Sequence, residues 1–440
     1  MSKFIFFCIS MVASILILPS CAPTKNLPVM TIPTVESRAV LPTDSSRTDA
    51  YLEAILNQNP ALFGKLLSQK KELNIQVIYT QIDRTAKGHP VLKTYRYNVN
   101  PAHYFYPAST VKLPIALLAL QKLQSLKSFG IDRNTSMITE TGLPSQTAVY
   151  NDPSSLDGRP TIAQYIKKIL LVSDNDAFNR LYEFLGQDYI NQSLHHMGYQ
   201  DAQILHRLQT SLSAKDNRIT NPISFLDSAG KQLYSQPMIE SKATYLPRKD
   251  SMGIGYMAGN KLVKAAMDFS QKNRMALEDL HTILVSLVFP AAMTPAQQFS
   301  ISEEDRLFML KYMSQLPTET TYPPYAADSN YWPAYCKFLL FGAAKGPLPS
   351  TIRVFNKVGD AYGQMLDIAY IVDYEKKIEF FLSASIYCNS DGILNDDRYD
   401  YDSIGFPFMK NLGKLIYETE AARPKKRLPD LSSFIFTYDK

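Results

Sequence analysis

The stretch Tyr106–Leu118, "YPASTVKLPIALL", decides how this chain is read: a polar segment turns apolar, and at the turning point Ser109 stands three residues before Lys112. Serine is a favoured residue at helix starts, and an apolar run behind it is what a core helix looks like. The spacing has a second meaning. On a helix the two side chains project from one face a turn apart. The amine can then take the hydroxyl's proton, provided burial or a neighbouring cation lowers its proton affinity. A helix N-terminus also favours negative charge developing at Ser109. Pro107 falls where proline is tolerated, whereas Pro114, within the first turns, is expected to cost some regularity.

Working outward, this helix runs to about Gly130, a residue suited to a C-cap. Upstream, residues 49–67 carry helical spacing of Leu, Ile and Phe, and 73–84 and 91–100 alternate as two strands of an antiparallel pair. Downstream, helices are predicted over 161–172, 176–186, 260–271, 276–289 and 303–313, strands over 351–359, 363–373 and 377–388, and a closing helix over 403–419. The implied fold class is α/β (α+β): an antiparallel sheet with flanking helices built from both ends of the chain, plus an inserted all-α lobe over about 113–345. The cleft between the two is the natural place for a site.

The bulk properties limit the alternatives. The 440 residues are 45% hydrophobic and 20% charged, ordinary for a globular protein, and the net charge of +5 is not gathered into a basic stripe. No nucleic-acid partner is therefore expected. There is no CxxC, HExxH or P-loop, and His195 and His196 are adjacent rather than at metal-ligand spacing, so neither metal nor cofactor is expected. "GIGYMAG" (253–259) nearly copies a dinucleotide fingerprint, but its last glycine comes one residue late and no strand precedes it. The 27 tyrosines read as core and surface filler, with a sugar-polymer surface as the alternative.

The N-terminus adds an address. Residues 1–20 hold one lysine and a short apolar run, a secretory signal rather than a spanning helix. Leu18-Pro19-Ser20-Cys21 resembles the bacterial lipobox, which implies lipidation of Cys21, an anchor and Pro/Ser/Thr-rich tether over 21–47, and a folded body over 48–440 outside the cytoplasm. A plain cleaved signal is the alternative. In an oxidising compartment Cys336 and Cys388 could form a disulfide or remain two buried thiols.

Two further signals join the first. Ser173-Asp174-Asn175 lies between two predicted helices, 64 residues after Ser109, where capping alone would explain it. Lys357-Val358-Gly359 lies on a predicted strand. In this order and context, S-x-x-K, S-D-N and K-x-G resemble the class A β-lactamases and penicillin-binding proteins. The resemblance spans about Asp49 to Glu418 and implies a β-lactamase/DD-peptidase-like fold. It implies Ser109 as the acylated nucleophile, Lys112 as its proton partner, Ser173 as donor to the leaving nitrogen, and Lys357 as the attractor of a substrate carboxylate. It further implies that Asn175 holds the substrate's amide, that Gly359 lets the substrate backbone approach the strand, and that the amides of Ser109 and Asp360 form an oxyanion hole.

Two departures bear on function. Val358 replaces the usual hydroxyl residue, and no glutamate occurs between Glu183 and Glu240, where the family keeps its water-activating base. Asp216 and His206 are the titratable residues of that region that could approach the site. The 184 residues from Ser173 to Lys357 are also long for the class, which implies an insertion at the rim. The expected function is attack by Ser109 on a β-lactam or a D-alanyl cell-wall peptide, with slow deacylation. A catalytically silent cell-wall or partner-binding module and a hydrolase of an unrelated ester or amide are the alternatives.

Overall fold

Five antiparallel strands organise residues 46–438, the part of the chain described by the computed structural model. The readings of the signal, of Cys21 and of most of the tether lie outside these residues. Arg47, the tether's expected last residue, is already held to the body: its backbone bridges Val99 and its guanidinium pairs with Glu278.

In chain order, α1 (Ala50–Asn57) and α2 (Pro60–Ser68) precede the hairpin of β1 (Gln76–Arg84) and β2 (Pro90–Tyr97). The middle contains α3 (Lys112–Leu126), β3 (Ser136–Thr139), α4 (Ile162–Val172), α5 (Asn175–Leu185), α6 (Gln187–His196) and the single turn α7 (Ala214–Asn217). It continues through β4 (Ile223–Leu226), β5 (Gln232–Gln236), β6 (Ser251–Met252), β7 (Gly255–Ala258), β8 (Lys261–Val263) and β9 (Met267–Asp268). Then come α8 (Leu277–Val288), α9 (Glu303–Ser314) and the single turn α10 (Phe338–Phe341). Finally β10 (Ile352–Ala361), β11 (Gln364–Asp373), β12 (Ile378–Tyr387), β13 (Ile393–Leu394) and α11 (Phe406–Ala422) follow. The main sheet has the order β10-β11-β12-β1-β2, so the two ends of the chain share it and β10 is an edge strand beside the helical region.

Burial on both faces explains why the last three long strands read as nearly continuous apolar runs. On β11, Leu366, Ile368, Tyr370 and Val372 enter the core shared with α3–α6, α8 and α9, whereas Met365, Ala369 and Ile371 enter the core under α1, α2 and α11. His281 of α8 crosses the first face, its ring nitrogens meeting Ser383 Oγ at 2.8 Å and Thr80 Oγ1 at 3.0 Å. Burial pushes this imidazole down to about 3, so it is a neutral structural pin.

Two expectations are corrected. The predicted helix over 260–271 is instead β8, half of a β7–β8 hairpin, followed by β9. Strand pairing overrides the local apolar spacing: β8 pairs with β7 and β9 with β6, while β7 also runs parallel to β13, and a Cβ at Gly253 would lie 2.6 Å from the Gly392 carbonyl oxygen. Gly253 and Gly255 of "GIGYMAG" thus serve close packing and Gly259, φ 59°, turns the hairpin, and with β3–β9 inside it the region 113–345 is not all helical. Of the two readings of the cysteines, the structure bears out the thiols. Cys336 and Cys388 are both buried free thiols. Cys388 packs beside Gly405 and feels the charge of Asp400, while Cys336 sits among Lys357, Lys337 and Asp360.

A prediction follows from α11. A Cβ added at Gly413 would lie 2.1 Å from Leu340 N and 2.6 Å from its Cα, both backbone atoms of α10. Gly413→Ala should cost about 3 kcal/mol or more in denaturant unfolding, whereas a change below about 0.5 kcal/mol would mean that α10 yields freely.

Candidate active site

Ser109 sits in a tight helical turn, Ala108–Val111, that leads into α3. The Thr110 hydroxyl and amide both close this turn on the Pro107 carbonyl, at 2.5 and 3.1 Å. Ala108 adopts φ 46°, a left-handed conformation unfavourable for a residue with a side chain. The irregular start is where the proline pair leaves its mark: Pro114 is only the third residue of α3, so it disturbs the entry and not the body of the helix. The helix ends through a second tight turn at Gly130, φ 74°, as its sequence implies.

Strand β10 comes against this turn backbone to backbone. A Cβ at Gly359 would lie 2.8 Å from Ser109 N, 2.9 Å from Thr110 N and 3.0 Å from the Pro107 oxygen, so only glycine permits the approach. Lys357 precedes it by two residues and is directed to the same side. Val358 turns the other way, buried in the core beneath α1 and α11, and contributes apolar packing there.

The third segment is the α4–α5 turn. Asp174 is the N-cap of α5, its carboxylate accepting from Ala177 N at 2.7 Å, which is the expected capping role. Ser173, by contrast, adopts φ 60° at the end of α4, which aims its hydroxyl into the cleft. Its Oγ lies 2.8 Å from Lys357 Nζ and 3.2 Å from Lys112 Nζ. Lys112 Nζ also meets the Ser173 carbonyl and, at 2.7 Å, Asn175 Oδ1, while Lys357 Nζ donates to the Val358 carbonyl at 2.9 Å. One hydroxyl thus joins two buried amines.

Burial, and next the charge of Lys357, holds the Lys112 amine well below the ordinary lysine range. Burial also lowers Lys357, with Cys336, Asp360 and Asp367 opposing. Asp360 follows Gly359 with its side chain open to the cleft, and the dense protein around it raises its carboxyl while Lys357 and Lys112 pull it down. The structure therefore brings together Ser109, Lys112, Ser173, Asn175, Lys357, Gly359 and Asp360.

It does not bring in the two proposed substitutes for the missing glutamate. The Asp216 carboxylate accepts from Ser213 Oγ at 2.6 Å in the capping turn of α7. His206 stacks on Tyr106 at 6.0 Å, its Nδ1 bonded to the Arg207 carbonyl at 2.6 Å, and burial pushes it down to about 4. Glu183 is locked between Arg180 and Arg207. The side chain that reaches the site from this segment is Gln209, whose Oε1 accepts from Asn175 Nδ2 at 2.7 Å, on a backbone with φ 51°. Sequence reasoning missed it because a search for titratable groups passes over an amide.

The end of the insertion is fastened to the same strand. Asn356 Nδ2 donates to the Cys336 carbonyl at 2.9 Å and to Asp367 Oδ1 at 2.8 Å, and Lys337 Nζ donates to Asn356 Oδ1 at 2.7 Å. Among the described residues no cluster of His, Cys, Asp and Glu could hold a metal ion.

A family model described as "Beta-lactamase enzyme family" matches residues 64–419. Among solved structures, the β-lactamase of Sphaerobacter thermophilus DSM 20745 is similar at 14% identity over 83% of this chain and 99% of its own, with a TM-score of 0.44. A halotolerant bacterial β-lactamase gives 15% over 81% and 98%, TM-score 0.45, and the β-lactamase of Streptomyces albus G gives 14% over 83% and 99%, TM-score 0.45. No curated protein sequence matches the chain.

The electrostatics can be tested without a substrate. With the Lys357 charge removed in Lys357→Ala, the Lys112 amine should regain proton affinity and titrate at a higher pH. NMR titration of protein labelled at the lysine ε-carbons reads this directly. An unmoved Lys112 midpoint would show that burial alone sets its protonation.

Proposed function

The chain belongs to the β-lactamase enzyme family, and from that premise we propose that it is a serine acyl-enzyme acting on a β-lactam or a D-alanyl cell-wall peptide through Ser109. The observation that carries this is the Ser173 hydroxyl held between Lys112 and Lys357 beside the turn that presents Ser109. A hydroxyl has one proton and two lone pairs, so Ser173 can accept from an ammonium on Lys357 and donate to a neutral Lys112. That relay keeps Lys112 ready as a base.

The steps then balance. Ser109 Oγ bonds to the amide carbonyl carbon and gives its proton to Lys112, while the Ser109 and Asp360 amides receive the oxyanion. The C–N bond breaks, the leaving nitrogen takes a proton through Ser173, and the acyl group remains as an ester on Ser109. Asn175 holds the substrate's amide. Lys357 meets the substrate carboxylate alone, because the side chain at 358 is turned into the core beneath α1 and α11.

Hydrolysis of the ester needs a base for water. Gln209 can orient a water from its position on Asn175, but an amide takes no proton at neutral pH. Deacylation is accordingly slow, and the behaviour is that of a penicillin-binding enzyme more than of an efficient β-lactamase. We also place the body outside the cytoplasm, tethered by lipid on Cys21.

Intact mass against time after addition of benzylpenicillin tests the reading. A persistent adduct, absent in Ser109→Ala, is expected. No adduct at any time would leave the binding-module reading or an unrelated substrate.

Gln209→Glu tests the deacylation argument separately. It should shorten the adduct's lifetime by roughly tenfold or more, a modest part of what a positioned general base supplies. An unchanged lifetime would remove Gln209 from the water's path.

A further inference from the structure

Strand β10 carries two opposite charges past Ser109, and the reaction described above uses one of them. Lys357 is bonded to Ser173, whereas the carboxylate of Asp360, three residues on, has no part in that chemistry. Its backbone N–H receives the oxyanion in the proposed mechanism, so its side chain stands close to the groups that flank the reacting carbonyl.

Alternation along the strand puts Asp360 on the side of Val358, but the packed core ends between them: Val358 is 2% exposed and Asp360 is open to solvent. The carboxylate makes no hydrogen bond or ion pair among the described residues, and Lys357 and Lys112 act on it only through space. Tyr335, Cys336 and Tyr401 are the other groups that feel its charge. Cys336 also feels Lys357, which places Asp360 toward the Lys357 end of the cleft. Strand β11 contributes no cation there. Val358 pairs with Asp367, whose carboxylate is taken by Asn356 Nδ2 and Leu339 N, and Asp360 pairs with Met365.

With Lys112 neutral as the base, this end of the cleft holds one ammonium and one carboxylate. A leaving half that brings a carboxylate alone satisfies Lys357 and sets a like charge near Asp360. One that brings a cation as well leaves neither charge unpaired.

We propose that Asp360 is a specificity determinant that receives a cation on the leaving half of the acyl donor, so that the preferred donor is zwitterionic on that side of the scissile amide. This rests on the acyl-serine reading above, which assigns the leaving half to Lys357.

Cephaloridine and cephalothin test it, because they share one acyl side chain and differ on the leaving half. There the first carries a pyridinium and the second an uncharged acetate ester, each beside the same carboxylate. Acylation rates by intact mass, and affinities for Ser109→Ala protein by calorimetry, should favour cephaloridine. In Asp360→Asn the cephaloridine-to-cephalothin ratio should fall roughly fivefold or more, a double comparison that cancels the compounds' own reactivity. Added salt should shrink the ratio in the native chain, and the thermal midpoint of the variant controls for folding. An equal ratio in the native chain and in Asp360→Asn overturns the proposal. So does a native preference that salt leaves unchanged, a result that needs no variant to fold. Acylation by both compounds without the expected shift keeps the acyl-serine reading and removes Asp360 alone. A salt-sensitive, Asp360-dependent preference in binding, without acylation, keeps Asp360 and removes the acyl-serine reading instead. No binding of either compound overturns both.

Discussion

Two buried amines share one hydroxyl, and much of the structure follows from that constraint. Lys112 Nζ and Lys357 Nζ both contact Ser173 Oγ, which keeps them within about 6 Å of each other. At that separation, with the effective dielectric typical of protein sites, two positive charges repel by about 3 kcal/mol. The repulsion adds to the desolvation of each amine, so the resting state favours one ammonium and one free base. Three distant segments must meet to impose this: the entry to α3, the α4–α5 turn and edge strand β10. The sheet built from both chain ends supplies β10, and the helices inserted between them supply the other two.

Bringing three backbones this close requires conformations the chain would otherwise avoid. Ala108, Ser173 and Gln209 all have left-handed φ values although none is glycine, and each adjoins or touches the site. Such residues cost of order 1–3 kcal/mol apiece and persist only where the surroundings over-determine them. Here those surroundings are the apolar faces of α3, α4 and α5 in one core. Gly359 removes what would be a further clash, since every atom its Cβ would meet is main chain and cannot rotate aside.

The parts legible in the sequence are those in which one residue type answers to one physical need. Ser109 with Lys112, Ser173-Asp174-Asn175 and Lys357 with Gly359 could be located because nucleophile, base, left-handed turn and close approach each restrict the choice of side chain. The long strands and α3 were legible because both sheet faces and the whole helix entry are apolar. The β7–β8 hairpin was not, because "NKLVKAAMDF" has helical spacing, whereas the fold pairs its two short strands with β7 and β6 just upstream and adds distant β13 to β7. The cysteines show a similar limit: two residues in one compartment permit a pair, but only the fold decides whether they meet. Gln209 was hidden for a chemical reason, since its importance lies in a proton it does not take.

That amide also gives the site its direction. In the proposed mechanism the lysine–serine relay resets for acylation when Lys112 loses its proton, which burial and then the charge of Lys357 favour. A base for the ester, which that mechanism also needs, would have to come from the segment carrying His206, Gln209 and Asp216. There the imidazole is held neutral with low proton affinity, the carboxylate is spent on a helix cap, and the residue in contact with Asn175 has no basic atom. Under the acyl-serine reading proposed above, these electrostatics favour forming a bond to Ser109 over releasing it. On the reading proposed above, the two lysines serve the first step, and the side chain at 209 bears on the second.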